Sequence, residues 1–458
     1  MYVRDTIIAL ATPTGVGAIG VIRLSGERAI EYCNRVFVGK DLQKQASHTV
    51  HFGRIVDEQG IVLDEVLVSL FVAPRSYTRE NVVEISCHGS GYILQRVLEL
   101  LVRQGARLAK AGEFTMRAFL NGQLDLSQAE AVADLIASES EAAHHMAMGQ
   151  MRGGFGSELK VLREELIGFA SLIELELDFG EEDVEFADRT RLVGLVERIR
   201  HVLGRLRDSF VLGNAIKRGV STVIAGRPNA GKSTLLNGLL NEERAIVSEI
   251  AGTTRDTIEE ILNIEGVQFR LIDTAGIREA TDAIEAIGVQ KTLEQVRLSS
   301  VLVYVFDVST MEPAEVLADI SALSREGLHV MAVANKMDLR RDANLSQYSL
   351  GEKVIAVVGM SAIQRDNLET LKQQLLGVVK RGDLQTGGVV VSNIRHYEAL
   401  EHAYLALTDT LKGLHSGVSA DFVAMDIRRA LRYMGEITGD ISSDDLLEHI
   451  FSKFCIGK

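Results

Sequence analysis

Residues 220–238 read Val-Ser-Thr-Val-Ile-Ala-Gly-Arg-Pro-Asn-Ala-Gly-Lys-Ser-Thr-Leu-Leu-Asn-Gly. The short run Val220 to Ala225 ends at Gly226, a glycine-punctuated loop follows, and Leu235, Leu236, Leu239 and Leu240 then recur at helical spacing. The order is strand, loop, helix, and Gly226, Gly231, Lys232 and Ser233 fill the pattern G-x-x-x-x-G-K-[ST]. Glycine lets the backbone turn its N–H groups inward around a polyphosphate, and the helix N-terminus adds partial positive charge. Lys232 is placed to reach the β- and γ-phosphates, and the Ser233 hydroxyl to ligate Mg2+. A ligand-free glycine turn is the bland alternative; the flanking strand and helix weigh against it.

A phosphate loop does not choose the base. Asn335-Lys336-Met337-Asp338 follows the apolar stretch Val330 to Ala334. A carboxylate at Asp338 can accept both the N1–H and the exocyclic amine of guanine, whereas adenine would leave that acceptor unsatisfied. Ser361-Ala362, after the strand Val354 to Val358, fits the loop that backs the guanine. Asp273-Thr274-Ala275-Gly276 follows the strand Phe269 to Ile272, where a carboxylate holds Mg2+ through water. Thr254, in Gly252-Thr253-Thr254-Arg255-Asp256, supplies a second Mg2+ hydroxyl. Thr257–Ile264 and Val267–Ile272, joined at Glu265-Gly266, form a hairpin. The candidate GTP-contacting set is Asn229, Ala230, Gly231, Lys232, Ser233 and Thr234, the run Ser248, Glu249, Ile250, Ala251, Gly252, Thr253 and Thr254, then Asp273 to Gly276, Asn335, Lys336, Asp338, Ser361 and Ala362.

One position departs from the signalling GTPases. The residue after Asp-Thr-Ala-Gly is Ile277, which cannot orient water as a glutamine would. The nearby carboxylates are Glu279, Asp282 and Glu285. Asn229 is the second oddity: its amide oxygen can help ligate a monovalent cation beside the phosphates, or it can make a hydrogen bond within the loop.

Length and composition bound the surroundings. At 458 residues with 46% hydrophobic content and mean hydropathy +0.11, the chain can fill several cores. It holds no apolar run of about eighteen residues, so no membrane span is expected. Met1-Tyr2-Val3-Arg4-Asp5 lacks a signal-peptide layout, and Cys33, Cys87 and Cys455 form no C-x-x-C, which together suggest a reducing, cytoplasmic setting. A net charge of −14 makes the chain a poor non-specific binder of nucleic acid, so RNA needs a local basic patch or a partner. Arg428, Arg429 and Arg432 on a predicted helix Phe422–Met434 form one basic face; salt bridges to acidic helices are favoured over RNA phosphates as their partners.

Along the chain, residues 1–120 read as α+β: strands at Thr6–Leu10 and Ile19–Leu24, a helix at Glu27–Phe37, a hairpin from His51–Val56 and Ile61–Val72, and a helix through Leu94, Val97, Leu98 and Leu101 stopping at Gly105. Gly15, Gly17 and Gly20 spell G-x-G-x-x-G, but an extended run follows, so they serve turns or close backbone approach. A helical pattern runs from Ser127 to about Leu177, interrupted near Gly153–Gly154, and the acidic stretch from Asp178 to Glu185 reads as a solvated linker. Helical spacing resumes over Thr190–Gly213, and again over residues 395–454. An α/β domain therefore sits inside an α-helical one, whose two parts pack on each other.

Gly-Arg-Pro-Asn-Ala-Gly-Lys-Ser at 226–233, Gly-Thr-Thr-Arg-Asp at 252–256 and the terminal Phe454-Cys455-Ile456-Gly457-Lys458 together resemble the tRNA-modification GTPase family MnmE, also called TrmE. The resemblance spans essentially the whole chain, including Asp5-Thr6-Ile7, Leu124-Asp125-Leu126 and Ser442 to Leu447. It implies a multidomain α/β protein: an α+β tetrahydrofolate-binding and dimer-forming domain at 1–120, a discontinuous helical domain at 121–216 and 380–458, and an inserted P-loop, Ras-like GTPase domain at 217–379. It implies a homodimer working with an FAD-containing partner, MnmG (GidA), to place an aminomethyl or carboxymethylaminomethyl group on C5 of the wobble uridine of certain tRNAs. GTP hydrolysis would be stimulated by K+-dependent dimerisation of the GTPase domains.

Carried over by residue, the K+ ligands are Asn229, Ser248, Ile250 and Thr253, the Mg2+ ligands Ser233 and Thr254, and Glu285 orients the attacking water. The reduced-folate pocket (5-formyl- or methylene-tetrahydrofolate) maps to Arg23, Glu84 and Lys458, with Gln123 where lysine is frequent. Cys455 would sit near the one-carbon chemistry, as a nucleophile or as a plain buried thiol; prenylation is disfavoured by Gly457 and Lys458. The rival class is a GTP-gated, non-catalytic assembly factor that binds ribosome or RNA.

Overall fold

The computed structural model describes residues 5–178, 188–241, 260–272, 295–297, 299–325, 327–348, 354–380, 390–416 and 418–457. Its contacts fall into two compact units, one of Met1–Ala137, Ala147–Arg200 and His402–Lys458, the other of Ser138–Met146 and His201–Glu401.

The first unit opens with a seven-stranded sheet. Its strands are β1 (Ile7–Leu10), β2 (Ile19–Ser25), β3 (Phe37–Val38), β4 (Thr49–Val56), β5 (Val62–Phe71), β6 (Val82–His88) and β7 (Arg107–Leu108), in the order β3-β4-β5-β6-β2-β1-β7. All pairs are antiparallel except β1–β7. Alternation sets the register: β5 buries Asp64, Val66, Val68 and Leu70 on one face, and Leu67 between them is exposed. Helices α1 (Ala29–Val36) and α2 (Gly91–Arg103) supply Tyr32, Cys33, Leu94, Val97 and Leu101 to the same core as Ile22, Leu24 and Ile85. Each such side chain, fully buried, stabilises the unit by about 1.5–3 kcal/mol.

A Cβ on Gly20 would lie 2.5 Å from Leu94 Cδ2, so this glycine does serve close approach, and Gly15 takes φ 138°, a conformation that favours glycine. The helix expected over Glu27–Phe37 is shorter, because Phe37 turns extended to pair with Ile55.

The unit continues with α3 (Glu113–Leu120), α4 (Leu126–Ile136), the end of α5 (Glu141–Met151), α6 (Gly156–Asp178), the greater part of α7 (Arg189–Asp208), and the C-terminal helices. The helical stretch expected from Ser127 breaks not only at Gly153–Gly154 but also between Ile136 and Glu141. There the Ser140 hydroxyl accepts from Ala143 N–H, offering a local cap in place of a continuing helix. The run expected to Gly213 breaks at Ser209, whose hydroxyl bonds back to Leu206 and receives Val391 N–H before α8 (Phe210–Arg218) begins.

The second unit carries a six-stranded sheet of β8 (Val220–Ala225), β9 (Glu260–Ile264), β10 (Val267–Leu271), β11 (Val301–Asp307), β12 (His329–Asn335) and β13 (Val354–Gly359), in the order β13-β12-β11-β8-β10-β9. It is parallel except for the β9–β10 hairpin, which turns on Glu265 and Gly266, both at positive φ. Helices α9 (Lys232–Asn241) and α11 (Leu368–Lys380) share a core with one face, and α10 (Pro313–Leu323) with the other. Covered on both faces, β11 and β12 read as continuous apolar runs rather than alternating ones. After β8 the chain builds one half of the sheet beside it and then crosses to β11 on its other side. The carboxyl ends of β8 and β11 thus lie at the switch point where such sheets bind ligands.

In the first unit again, α12 (Ile394–Ser416) ends, α13 (Ala420–Thr438) packs along α6, and α14 (Asp444–Phe451) packs on α3. Arg163 of α6 ties this pair together by donating to the Leu431 carbonyl and pairing with Asp440 at 3.1 Å. Helical segments from before and after the inserted α/β region do pack on each other. No described helix is long and apolar enough to cross a membrane.

Candidate functional site

β8 delivers the chain into the loop 226–231, and α9 begins at Lys232. Gly226 has φ 149°, and a Cβ there would stand 2.0 Å from the Val305 carbonyl oxygen, so no side chain fits. Gly231 has φ 95°, and its Cβ would meet Asn335 Nδ2 at 2.2 Å. Asn229 adopts φ 60°, a left-handed conformation that asparagine tolerates better than most residues. Its side chain is exposed and makes no hydrogen bond among the described residues, so the loop-bond reading of Asn229 finds no partner. Ala230 is buried, Ser233 partly exposed and Thr234 exposed in the first turn of α9.

Lys232 Nζ donates to the Gly226 carbonyl at 2.8 Å and the Arg227 carbonyl at 2.9 Å. Burial holds its pKa below the ordinary 10.5. Both of these carbonyls are neutral, so an anion brought to this ammonium gains strongly.

The base-reading residues converge on the same loop. Asn335 closes β12 with 3% exposure; its Nδ2 donates to the Ala230 carbonyl at 2.8 Å and its Oδ1 accepts from Ala362 N–H at 2.9 Å. One side chain thus stitches the phosphate loop to the Ser361–Ala362 loop. Lys336, at φ 64°, reaches Asp307 Oδ2 at 2.7 Å. Burial works to raise the Asp307 pKa, but the hydrogen bonds from Lys336 and Ser309 outweigh it and hold the carboxyl below its ordinary value. Asp338 Oδ1 accepts from the buried Ser361 hydroxyl at 2.6 Å, which fixes the carboxylate and leaves Oδ2 with no hydrogen bond among the described residues. Ser248, Glu249, Ile250, Ala251, Gly252, Thr253, Thr254, Asp273, Thr274, Ala275, Gly276 and Glu285 lie outside the described residues.

A second constellation lies in the first unit. Arg23 on β2 pairs with Glu84 on β6 at 2.7 Å, donates to the Gly457 carbonyl at 3.2 Å, and sits 5.7 Å from the Tyr77 ring and 5.8 Å from the Phe114 ring. The C-terminal tail arrives there because Ala111 bridges Ile456 and Gly112 N–H donates to the Cys455 carbonyl. Gln123 instead accepts from Arg79 Nε at 3.0 Å, and no hydrogen bond among the described residues joins it to Arg23 or Glu84. Lys458 lies outside the described residues. Cys455 is exposed, so the buried-thiol reading gives way, although Gly457 two residues on is buried against Leu10. The buried thiols are Cys33, pushed up by burial to about 12, and Cys87, pushed up by burial and Asp64 to about 11.

Arg428 pairs with Glu174 of α6 and Arg429 with Asp409 of α12, as the reading of salt bridges to acidic helices expects, whereas Arg432 pairs with Glu436 of its own helix. Among the described residues no group of three or more His, Cys, Asp or Glu gathers as a metal site. Sequence reasoning missed Asp307, whose only local signal is a carboxylate ending an apolar strand, and Arg227, which pairs with Glu315 and Asp319 of α10.

Residues 126–455 match the family model for the MnmE helical domain, and residues 6–123 that for the GTP-binding protein TrmE N-terminus. The chain is 56% identical over 454 residues to a Cytophaga hutchinsonii protein named tRNA modification GTPase MnmE, covering 99% of this chain and 98% of that one. Proteins of the same name from Flavobacterium johnsoniae and Flavobacterium psychrophilum are 53% and 52% identical, each match covering 100% of both chains.

Proposed function

Since the chain belongs to the MnmE family of tRNA modification GTPases, we propose that it binds GTP between the 226–231 loop and the 335–338 and 361–362 loops, hydrolyses it to GDP and phosphate, and couples that cycle to tRNA modification. The observation that carries this reading is the Asn335 bridge. Because one buried amide holds the phosphate-reading and base-reading loops together, guanine and polyphosphate are gripped by a single preorganised frame. In it Asp338 reads the guanine edge, Lys232 and the loop amides take the β- and γ-phosphates, and Asn335 holds the frame.

The Ser233 hydroxyl is a hard oxygen at the head of α9 and fits Mg2+, which it would hold with Thr254 and which would supply positive charge beside the phosphates. The exposed Asn229 amide suits a K+ ion completed by Ser248, Ile250 and Thr253. Glu285 orients the attacking water in place of Ile277. In the first unit the Arg23–Glu84 pair, flanked by two aromatic rings, offers hydrogen-bond partners beside flat apolar faces, a chemistry that fits reduced folate. Lys458 would complete that pocket, whereas Gln123 contributes only if it leaves Arg79. The protein acts as a cytoplasmic homodimer with the FAD-holding MnmG partner, modifying C5 of the wobble uridine.

Phosphate release from GTP, followed in K+ and in Na+, tests the reading. Turnover should be faster in K+ with no added protein, and Glu285→Ala should abolish it while GTP binding survives. Mass spectrometry of wobble nucleosides should show loss of the C5 substituent in a strain lacking the gene. Unchanged nucleosides, with GTP-dependent ribosome co-sedimentation, would favour a non-catalytic assembly factor instead.

A further inference from the structure

The phosphate loop carries its own arginine, and the arginine is committed elsewhere. Arg227 Nε and Nη2 grip Asp319 of α10 in a two-pronged pair at 2.8 and 3.2 Å, and Nη1 donates to Glu315 at 2.9 Å. Glu315 also closes the capping box that starts α10. Asp319 is held from behind by the Tyr304 hydroxyl, on a side chain only 2% exposed. Tyr304 stands in register with Ala225, the residue just before the loop, so this relay is founded on the sheet centre. At the loop's inner side the Arg227 carbonyl receives Lys232 Nζ.

We infer that Tyr304, Asp319 and Arg227 are positioning residues that fix the loop's first residues, and through the Arg227 carbonyl fix where Lys232 stands. The inference rests on the phosphate-site reading above. A fork-to-carboxylate pair is directional, unlike a diffuse charge contact, so it can set an orientation as well as a distance. Asp319→Asn separates the two. It removes a negative charge near a polyanion site, so net charge alone would make nucleotide bind more tightly. Loss of position makes it leave faster.

The test is the release rate of fluorescent GDP from the full-length chain at fixed Mg2+ and K+. Asp319→Asn should speed release about fivefold, and Tyr304→Phe, which alters no charge, should act in the same direction. The double variant should be no faster than Asp319→Asn alone, because both act through one chain of contacts. Preference for GTP over ATP should be unchanged, since the base-reading loops are untouched. Release that is unchanged or slower in Asp319→Asn overturns the inference, as does a simultaneous collapse of GTP preference, which would mean the unit has simply loosened. A wild-type chain that retains no GDP at all sinks the phosphate-site reading, and this inference with it.

Discussion

Asp338 and Gly231 show how little chain separates recognition from its loss. Asp338 is a carboxylate oriented by Ser361, so Asp338→Ala removes the acceptor for two guanine donors. GTP affinity should fall by about 100-fold, with the melting temperature little changed, as titration calorimetry and thermal melts will report. Gly231→Ala meets two obstacles at once: φ 95° and an Asn335 amide 2.2 Å from the new methyl. The Asn335 bridge must open, so calorimetry should show the second unit weakened by about 1–3 kcal/mol and GTP binding lost. Both positions were legible because their chemistry is written in consecutive residues. Asp319, 92 residues from Arg227, carries no such local mark.

At the level of elements, α3 is held by charge as much as by packing. Arg117 is 1% exposed and pairs with Asp5, Glu80 and Glu113, while Arg107 pairs with Asp5 and Glu113 from the side. Arg117→Ala should cost the first unit about 3 kcal/mol in urea denaturation, because it takes the shared buried cation from Glu113, Asp5 and Glu80, of which Arg107 still pairs only the first two. Burial works to raise the pKa of Asp5 and Glu113, yet the arginines outweigh it and hold both below their ordinary 3.8 and 4.5. The folded chain therefore holds these protons less tightly than the unfolded one. The stability they supply is complete above pH 4.5 and drains as pH falls through the lowered folded values, which circular dichroism across an acid titration will follow. Element types were legible from periodicity, whereas the breaks at 137–140 and Ser209 were not. A single hydroxyl bonding its own neighbourhood can end a helix without disturbing the apolar spacing.

On the scale of the whole molecule, the C-terminal tail returns to a strand near the start of the chain. Arg23 reaches the Gly457 carbonyl across nearly the full length of the sequence. Deleting residues 455–458 should abolish binding of a reduced folate, measured by calorimetry, while GTP hydrolysis stays within about twofold of the full chain because the second unit is untouched. Hydrolysis lost along with folate binding would show that the tail serves the GTPase cycle as well.

What the sequence determined by itself was the chemistry that neighbouring residues share: a phosphate loop, a guanine-reading tetrad, and apolar spacings that distinguish strand from helix. Those signals survive without the fold because backbone geometry and side-chain periodicity are local. Tertiary structure alone decided the partners of Arg23, Arg117 and Arg227, the exposure of Cys455, and the diversion of Gln123 to Arg79. Each depends on where the chain returns after tens or hundreds of residues, and a charged side chain takes whichever partner that return brings within reach.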